Sequence, residues 1–367
     1  MLKEALSLHR RNHLDKAEEI YRPILAADPN HSTALHLSGV LEAQRGNFAA
    51  GLELIDRAIA TGPARAAHFA NRGAALIMLG RFEEAAAACD KALTLDPNRL
   101  LAHYNRGIAL VSLEQYEEAF ASFNRALIIE PRSSRVLHVR GNVLQKMRHF
   151  ESALESYNLA LSHAPDHAGL HHDKGRAFKI LNRLEEAAES FGQALELHPH
   201  HAAALSERAD TFCALKRFED ALACYDRYLE HNGDDAEAHA GRAAVLTAMK
   251  RIDEALACCE RAIAIKPDCH EAFHHKGNAL LTLKRFEEAL ADFDRALAIK
   301  PGYVEALNSR GVALKHLKRM GEAIASFDHA LAIRPDYVPA LRNRQKALGD
   351  KSPRRKPPLR GLITGAT

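Results

Sequence analysis

The chain has 367 residues with 50 basic and 47 acidic side chains, a formal charge of +3. Residues 350–367 contain five of the basic side chains and one acid, so the rest of the chain has a charge of −1, which argues against binding of nucleic acid by that part. No segment approaches 18 consecutive apolar residues, and the first residues lack the apolar core of a signal peptide. These features exclude a membrane span and predict a cytoplasmic protein.

One motif recurs along the chain at intervals of 34 residues. Each copy has a small residue, usually glycine, then alanine 12 residues later, a bulky apolar residue after four more, and finally proline. No insertion breaks this spacing between Pro29 and Pro335. A fixed period of this length is typical of a repeat protein. The glycines of the first slot are Gly73, Gly107, Gly141, Gly175, Gly277 and Gly311, with Ala209 and Ala243 between them.

Each copy predicts two amphipathic helices joined by a short turn. Apolar residues recur every three or four positions, with a break near Gly80-Arg81 in one copy and near Lys284-Arg285 in another. The glycine and alanine slots lie where the two helices cross, because small side chains let the backbones approach closely. Proline ends the second helix. The Asn or Asp that follows it, as at Asn30 and Asp166, is expected to cap the next helix.

Ten such units follow one another in chain order, with a different segment at the end. Residues 338–349 begin another unit but place Gln345 in the glycine slot, which predicts a C-terminal capping helix over the last hydrophobic face. Residues 350–367 form a basic, proline-rich tail that we expect to be disordered, either a solubilising tail or linker or a docking or targeting sequence. The ten units are 1–31, 32–65, 66–99, 100–133, 134–167, 168–201, 202–235, 236–269, 270–303 and 304–337.

A 34-residue helical hairpin with these small, aromatic and proline slots resembles the tetratricopeptide repeat (TPR), and the resemblance covers residues 1 to about 349. The family's tryptophan slot holds other residues here, three of them histidines: His103, His171 and His239. The resemblance implies an all-α, right-handed superhelical α-solenoid whose first helices line a concave groove. It also implies a non-catalytic scaffold or adaptor that binds an extended peptide or partner protein along that groove.

The residues expected to face the groove change character along the chain. They are apolar or neutral in repeats three and four, and basic or polar in repeats five and six. We predict that the basic stretch receives an acidic segment or a C-terminal carboxylate of a partner, and that the apolar stretch beside it receives hydrophobic side chains. A solvated inner face without a partner is the alternative. The predicted binding residues are Tyr104, Asn105, Arg135, His138, Asn142, Lys146, His172, Arg176 and Lys179.

The carboxylate clamp by which members of the family bind chaperone tails is not present. It needs Lys and Asn on one helix, Asn on the next, and Lys with Arg on the third. Aligned from repeat five, these slots hold His138, Asn142, Asp173, Ala203 and Glu207. Binding of a chaperone tail is therefore not supported.

No catalytic motif, cofactor or metal site is predicted. The segment from His270 to His274 does match the zinc-protease pattern of two histidines one helical turn apart with a glutamate between them. The repeat already accounts for Phe273 and Gly277, and Leu280 stands where the longer motif needs a third ligand. We therefore interpret the match as a coincidence in the groove lining, with adventitious metal binding as the alternative. The six cysteines lack metal-ligand spacing and predict buried thiols.

A second interpretation concerns an enzyme. Segments such as Ala-Leu-Asn-Ser-Arg-Gly look like the repeat regions that bacteria fuse to O-linked N-acetylglucosamine transferase (SPINDLY-like) domains. The asparagine ladder of that superhelix is incomplete here, since Asn71 and Asn105 are followed by Val139 and Asp173. The alternative function is a substrate-recruiting TPR region of such a glycosyltransferase whose catalytic domain is missing or separate. The sequence does not predict an oligomeric state.

Overall fold

The computed structural model describes residues 2–11 and 13–351. All regular secondary structure in these ranges is α-helical, in 21 helices joined by short turns, which confirms the predicted all-α repeat architecture. The predicted tail lies outside the described residues from residue 352 onward. By the packing of its backbone the chain divides into two compact units, Met1–Leu197 and His198–Thr367, called unit 1 and unit 2 here.

The described part of unit 1 forms six helical pairs, each consisting of a first and a second helix of one repeat. The first helices carry odd numbers and the second helices even numbers. The helices are α1 (Leu2–Arg10), α2 (Leu14–Ala27), α3 (Ser32–Gln44), α4 (Phe48–Thr61), α5 (Ala66–Met78), α6 (Phe82–Leu95), α7 (Leu100–Ser112), α8 (Tyr116–Ile129), α9 (Ser134–Lys146), α10 (Phe150–His163), α11 (Ala168–Ile180) and α12 (Leu184–Leu197).

Unit 2 forms four further pairs and one last helix over the segment predicted as a cap. Within the described ranges, every helix of both units is too short or too polar to span a membrane. The helices of unit 2 are α13 (Ala202–Ala214), α14 (Phe218–Leu229), α15 (Ala236–Ala248), α16 (Ile252–Ile265), α17 (His270–Thr282), α18 (Phe286–Ile299), α19 (Val304–His316), α20 (Met320–Ile333) and α21 (Val338–Lys351).

The glycine slot sets how closely the two helices of a repeat pack. A Cβ atom added to Gly107 would lie 2.5 Å from Cε1 of Phe123, and one added to Gly277 would lie 2.6 Å from the same atom of Phe293. Both phenylalanines are fully buried. Since an aromatic ring in a packed core has little room to move aside, a larger residue at Gly107 or Gly277 would force the facing ring to shift.

The turn between the two helices of a repeat contains one residue with left-handed backbone. Gly80 adopts it with φ of 73°, and Lys284 adopts it at the equivalent position with φ of 61°. In the first of these turns the amide of Arg81 donates to the carbonyl of Leu76 at 2.9 Å, and Gly80 donates to Ile77 at 3.0 Å. This hydrogen-bond pattern closes the helix end by the Schellman motif.

The prediction that Asn30 and Asp166 cap the first helices is wrong. Helices α3 and α11 begin two residues later, and their N-caps are His31 and His167. The Nδ1 atom of each histidine accepts a hydrogen bond from the backbone amide three residues on, at 3.3 and 3.2 Å. An unprotonated imidazole nitrogen therefore replaces the usual carboxylate or amide oxygen as the acceptor.

First helices of neighbouring repeats contact one another in each unit, as α5 and α7 do in unit 1 and α15 and α17 in unit 2, besides contacting the preceding second helix. Small residues allow this approach, as where Ala70 of α5 and Ala102 of α7 share one core cluster. The side chains at the fifth, sixth, ninth and twelfth residues of successive first helices consequently share one surface. We call this surface the inner face of the unit.

Candidate partner-binding surface

Hydrogen bonds link the inner-face side chains of neighbouring repeats at a sequence distance of 35 residues. The Nδ2 atom of Asn71 donates to Nε2 of His36 at 2.9 Å, and Nε2 of His138 bonds Oδ2 of Asp173 at 2.7 Å. These contacts join the fifth slot of one first helix to the sixth slot of the next, so they position successive first helices against each other. Other pairs with this separation are His9–Gln44, His274–Ser309 and Asn308–Asn343.

His36 and His68 form a buried imidazole pair on the inner face of unit 1. Their ring centroids are 4.4 Å apart. Burial, followed by the proximity of His68 and the positive charges of Arg65 and Arg99, lowers the pKa of His36 to about 4. His36 is therefore neutral near pH 7, which agrees with its role as acceptor for Asn71.

Arg135 is the predicted binding residue with the most defined geometry. Its guanidinium carbon lies 4.3 Å from the ring centroid of Tyr104, and its Nε donates to the Tyr104 hydroxyl oxygen at 2.9 Å. Arg135 is nevertheless exposed, and it forms no ion pair with any residue of the described ranges. The tyrosine from the preceding repeat thus orients a guanidinium that remains accessible to an anion.

His138 and His172 meet at one carboxylate. Asp173 accepts from Nε2 of His138 at 2.7 Å through Oδ2 and lies 3.4 Å from Nδ1 of His172 through Oδ1. Burial alone would raise the pKa of Asp173, but the hydrogen bonds from the two histidines outweigh it and lower that pKa. The sequence placed both histidines in a basic stretch, whereas the structure shows that they hold an acid within it.

The other predicted residues differ in how accessible they are. Asn105 is 5% exposed and donates through Nδ2 to the carbonyl of Ala70 at 3.1 Å. Asn142 accepts from the hydroxyl of Tyr157 at 2.6 Å through Oδ1. These two amides are thus used inside the repeat array. Among the rest, Lys146 and Arg176 are exposed and Lys179 is half-buried.

Two arginines that the sequence analysis did not single out lie beside this surface. Arg65 is the N-cap residue of α5 and Arg99 that of α7, exactly one period apart. With Arg135, the second residue of α9, they place a guanidinium at the start of three consecutive first helices. Neither N-cap arginine forms an ion pair with a described residue. Their spacing of 34 residues was the signal that could have identified them.

A small cavity opens on the inner face between α3 and α5, and we call it the apolar pocket. Its volume is about 210 Å³. Ala43 and Ala74 occupy positions where the next repeat has isoleucine, and Met78 on the edge of the pocket is 60% exposed. A cavity of this size suits a single side chain rather than a whole ligand. Its lining residues are Val40, Ala43, Gln44, Phe48, Ile55, Asn71, Ala74, Ala75 and Met78.

The inner face of unit 2 carries a polar network around Tyr303. Its hydroxyl lies 3.1 Å from Nδ1 of His274, and its ring packs edge-on against His270 at 5.0 Å. His270 contacts Glu271 at 3.0 Å through Nδ1 and Lys300 at 3.0 Å through Nε2. The charged and polar groups of this region are therefore mutually paired.

The two histidines of the zinc-protease pattern belong to this network and do not converge on a common point. Burial, then the nearby His275 and His270, lowers the pKa of His274 to about 3. No group of three His, Cys, Asp or Glu side chains in the described ranges is arranged to hold a metal ion. The interpretation as part of the groove lining agrees with these contacts.

The histidines in the family's tryptophan slot have a common structural role. The Nε2 atoms of His103, His171 and His239 each lie 2.9 to 3.0 Å from the backbone carbonyl six residues earlier. Each imidazole thereby holds the loop that precedes its helix. This explains a substitution that the sequence pattern left without a reason.

No cysteine of the described ranges forms a disulfide, and all but Cys213 are buried. Burial raises the pKa of the Cys89 and Cys259 thiols to about 12. A thiol that remains protonated at neutral pH is a poor nucleophile and metal ligand. These two residues therefore act as core side chains, as predicted.

Sequence profiles described as tetratricopeptide repeat match residues 2–66, 38–99, 75–134, 138–191 and 274–338, and further profiles of that description match residues 180–245 and 236–269. No curated protein matches the sequence. Similar solved structures include a tetratricopeptide repeat protein from Parabacteroides merdae ATCC 43184, which is 18% identical with a TM-score of 0.60 over 68% of this chain and 98% of that chain.

Two further solved structures are similar at lower TM-scores. Pseudomonas aeruginosa PilF is 20% identical with a TM-score of 0.49, over 56% of this chain and 94% of that chain. YrrB, a TPR protein with an unusual peptide-binding site, is 22% identical with a TM-score of 0.37, over 52% and 99%. The profile matches extend over most of the sequence, and the chain belongs to the tetratricopeptide repeat family.

Proposed function

We propose that this chain is a non-catalytic scaffold or adaptor that binds an extended peptide or partner protein along the inner face of unit 1. An acidic segment or C-terminal carboxylate of the partner binds beside Arg135. The observation that carries this proposal is the accessible guanidinium of Arg135, oriented by Tyr104. A planar guanidinium fixed in this way suits a carboxylate because it can donate two parallel hydrogen bonds.

Basic side chains on the same two repeats support the location. Lys146 lies exposed at the end of α9, and α11 adds Arg176, which is exposed, and Lys179, which is half-buried. Asp173 lies among them, but its carboxylate is 21% exposed and hydrogen-bonded by histidines. On α9, Arg135 and Lys146 therefore offer an incoming anion two exposed positive charges.

Charge reversal at two exposed residues tests this function. The double variant Arg135→Glu, Lys146→Glu and the wild-type chain are used to capture partners from an extract of the source cells, and captured proteins are quantified by mass spectrometry. We expect the wild-type partners to be lost with the variant. The matched control is Lys284→Glu, an exposed turn residue whose position is held by Glu114 in repeat four with the same left-handed backbone.

Partners that are retained equally by the double variant and the control would contradict the proposal. Arg135→Lys adds a finer comparison, since it keeps the charge but loses the planar group that stacks on Tyr104. The alternative function, a substrate-recruiting region of a glycosyltransferase, rests on the similarity of the repeats alone. A nucleotide-sugar transferase fold encoded immediately downstream of residue 367 would favour it.

A further inference from the structure

We infer that the apolar pocket of unit 1 receives one large apolar side chain of an extended acidic peptide whose carboxylates lie along Arg65, Arg99 and Arg135. This inference rests on the proposed function and adds the chemical class of the partner. The observations that carry it are an open apolar cavity between α3 and α5 and, at the starts of α5, α7 and α9, three arginines that have no acidic partner in the described ranges.

The size of the pocket selects its occupant. A cavity of about 150 Å³ lined by apolar side chains holds one benzene molecule, and sites for whole small ligands begin near about 300 Å³. The pocket has about 210 Å³ and opens to solvent between α3 and α5. It therefore accommodates a leucine, methionine or phenylalanine side chain that enters from the inner face.

The pocket exists because two inner-face slots hold alanine. At the ninth position of the first helix, Ala74 stands where α7 has Ile108. At the twelfth position, Ala43 stands where α5 has Ile77. The smaller side chains leave space above Ile55, a core residue of α4. The chain itself thus supplies the side chain that would fill the pocket without disturbing the repeat.

The polar rim of the pocket is held in place before any partner binds. Asn71 is fixed by its hydrogen bond to His36, and the amide oxygen of Gln44 lies 2.7 Å from Nε2 of His9. These bonds orient the two amides at the edge of an otherwise apolar cavity. A preformed site of this kind loses little conformational entropy on binding.

The arginines at the helix starts favour an acidic peptide. Arg65 is the N-cap residue of α5, the helix that lines the pocket with Ala74, and Arg99 caps the next first helix. Arg135 is the second residue of α9, two repeats beyond the pocket. Helices pack roughly 10 Å apart and rise about 1.5 Å per residue, so two repeats, together with roughly 12 Å along the helix axis, separate Arg135 from the pocket by roughly 23 Å. This is the length of about seven residues of extended peptide, so the partner carries an apolar residue about seven residues from the acidic group at Arg135.

A peptide library with a defined set of variants tests the inference. Random dodecapeptides displayed with free C termini are selected against the wild-type chain, and the isolated peptides are measured by fluorescence anisotropy. We expect one large apolar residue and an acidic group about seven residues apart. Ala74→Ile fills the pocket with the side chain found at Ile108, and it should weaken these peptides by about 10-fold or more.

The matched control is Ala244→Ile, the same substitution at the ninth position of α15 in unit 2, which should leave peptide affinity unchanged. Thermal unfolding of both variants reports whether the added methyl groups disturb the fold. A second pocket variant, Ala43→Ile, copies Ile77 and should act like Ala74→Ile. Equal affinity of wild type and both pocket variants would overturn the inference.

Failure of the inference and of the proposed function give different results. Selected peptides that bind Arg135→Glu weakly but ignore Ala74→Ile would retain the proposed acidic site and overturn the role of the pocket. Peptides with an apolar residue that ignore Arg135→Glu would overturn the acidic partner in both proposals. A library that yields no binder to the wild-type chain would overturn both.

Discussion

Several first helices begin with an arginine in unit 1 and with a glutamate in unit 2. These charges differ in whether they have an ion-pair partner. In unit 2, Glu237, Glu271 and Glu305 lie 3.0 Å from the basic groups of Lys266, His270 and Arg334 respectively. In unit 1, the arginines at the corresponding helix starts have no carboxylate within ion-pair distance in the described ranges. Within the described ranges, one repeat fold thus supports paired charges at the starts of first helices in unit 2 and three unpaired arginines at the starts of first helices in unit 1. An acidic partner can therefore form new ion pairs with unit 1 without displacing existing ones.

We expect the hydrophobic cores of the two units to be alike, although their surfaces differ. The largest expected effect on stability, the loss of a buried ring, tests this. Phe123→Ala in unit 1 and Phe293→Ala in unit 2 each remove a fully buried ring from the same slot. We expect each to destabilise its own repeats by about 3–5 kcal/mol, because a cavity remains opposite the glycine slot. Amide hydrogen exchange, read separately for α7–α8 and α17–α18, measures the local change.

The comparison of these two substitutions has its own control. Phe286→Ala removes a half-buried ring at the start of α18, which stacks on His316 with centroids 4.6 Å apart. It should have a smaller effect than Phe293→Ala. A clearly unequal response of the two buried phenylalanines would mean that the units differ in their cores and not only on their surfaces.

Acid should lower the stability of both units, because each has a buried histidine at the fifth position of a first helix. We expect an effect of intermediate size. The folded pKa values of about 4 for His36 and about 3 for His274 lie below the value of about 6.5 in an unfolded chain. Between these values the unfolded chain binds more protons, so stability falls as the pH drops below about 6.5. We expect His274 to contribute about 1–2 kcal/mol of the loss between pH 7 and pH 5, as measured by hydrogen exchange in α17.

The variant His274→Asn should show a smaller loss of stability between pH 7 and pH 5 than the wild-type chain, whatever its stability at pH 7. Asp173 provides the contrast in unit 1. Its folded pKa is lowered, so the stability that it contributes is present above the carboxylate's unfolded pKa of about 3.9 and disappears only below it. The same acid sensitivity in His274→Asn and wild type would show that His274 does not titrate as its burial predicts.

The smallest expected effect on stability concerns Arg135, the residue that we propose as the centre of the binding site. Arg135→Ala removes an exposed cation–π contact and one hydrogen bond to Tyr104, which should change stability by about 1 kcal/mol or less. The same variant should lose acidic peptides. Circular dichroism melting and peptide anisotropy on one preparation separate the two effects. A large drop in melting temperature would assign Arg135 to the scaffold rather than to the partner site.

Much of the fold could be predicted because the same residue types recur at the same positions in successive repeats. A small residue followed 16 positions later by a buried residue, as at Gly107 and Phe123, marks the helix crossing. Helix starts were harder, because histidine is not a usual N-cap. His31 acts as one only because its Nδ1 is unprotonated and directed at a free amide, and this tautomer leaves no mark in the sequence.

The candidate site could be predicted only by position. Sequence slots identified Arg135 and Lys146 as exposed, but could not show that Asn105 donates into the backbone of the neighbouring repeat. The apolar pocket was also invisible, because it is a volume left by two alanines rather than a residue. A pattern of residue types reports which side chains are present, and a cavity arises from what they fail to fill.

The hydrogen bonds between residues 35 apart bear on how such a gene can change. Loss of residues 66–99 by recombination between neighbouring copies would bring Asn105 to the place that Asn71 now occupies. His36 would then meet the same amide donor it has in the present chain. The array can therefore lose this whole repeat and keep the hydrogen bond across the new junction. The number of repeats can change while the local contact between neighbouring repeats stays the same.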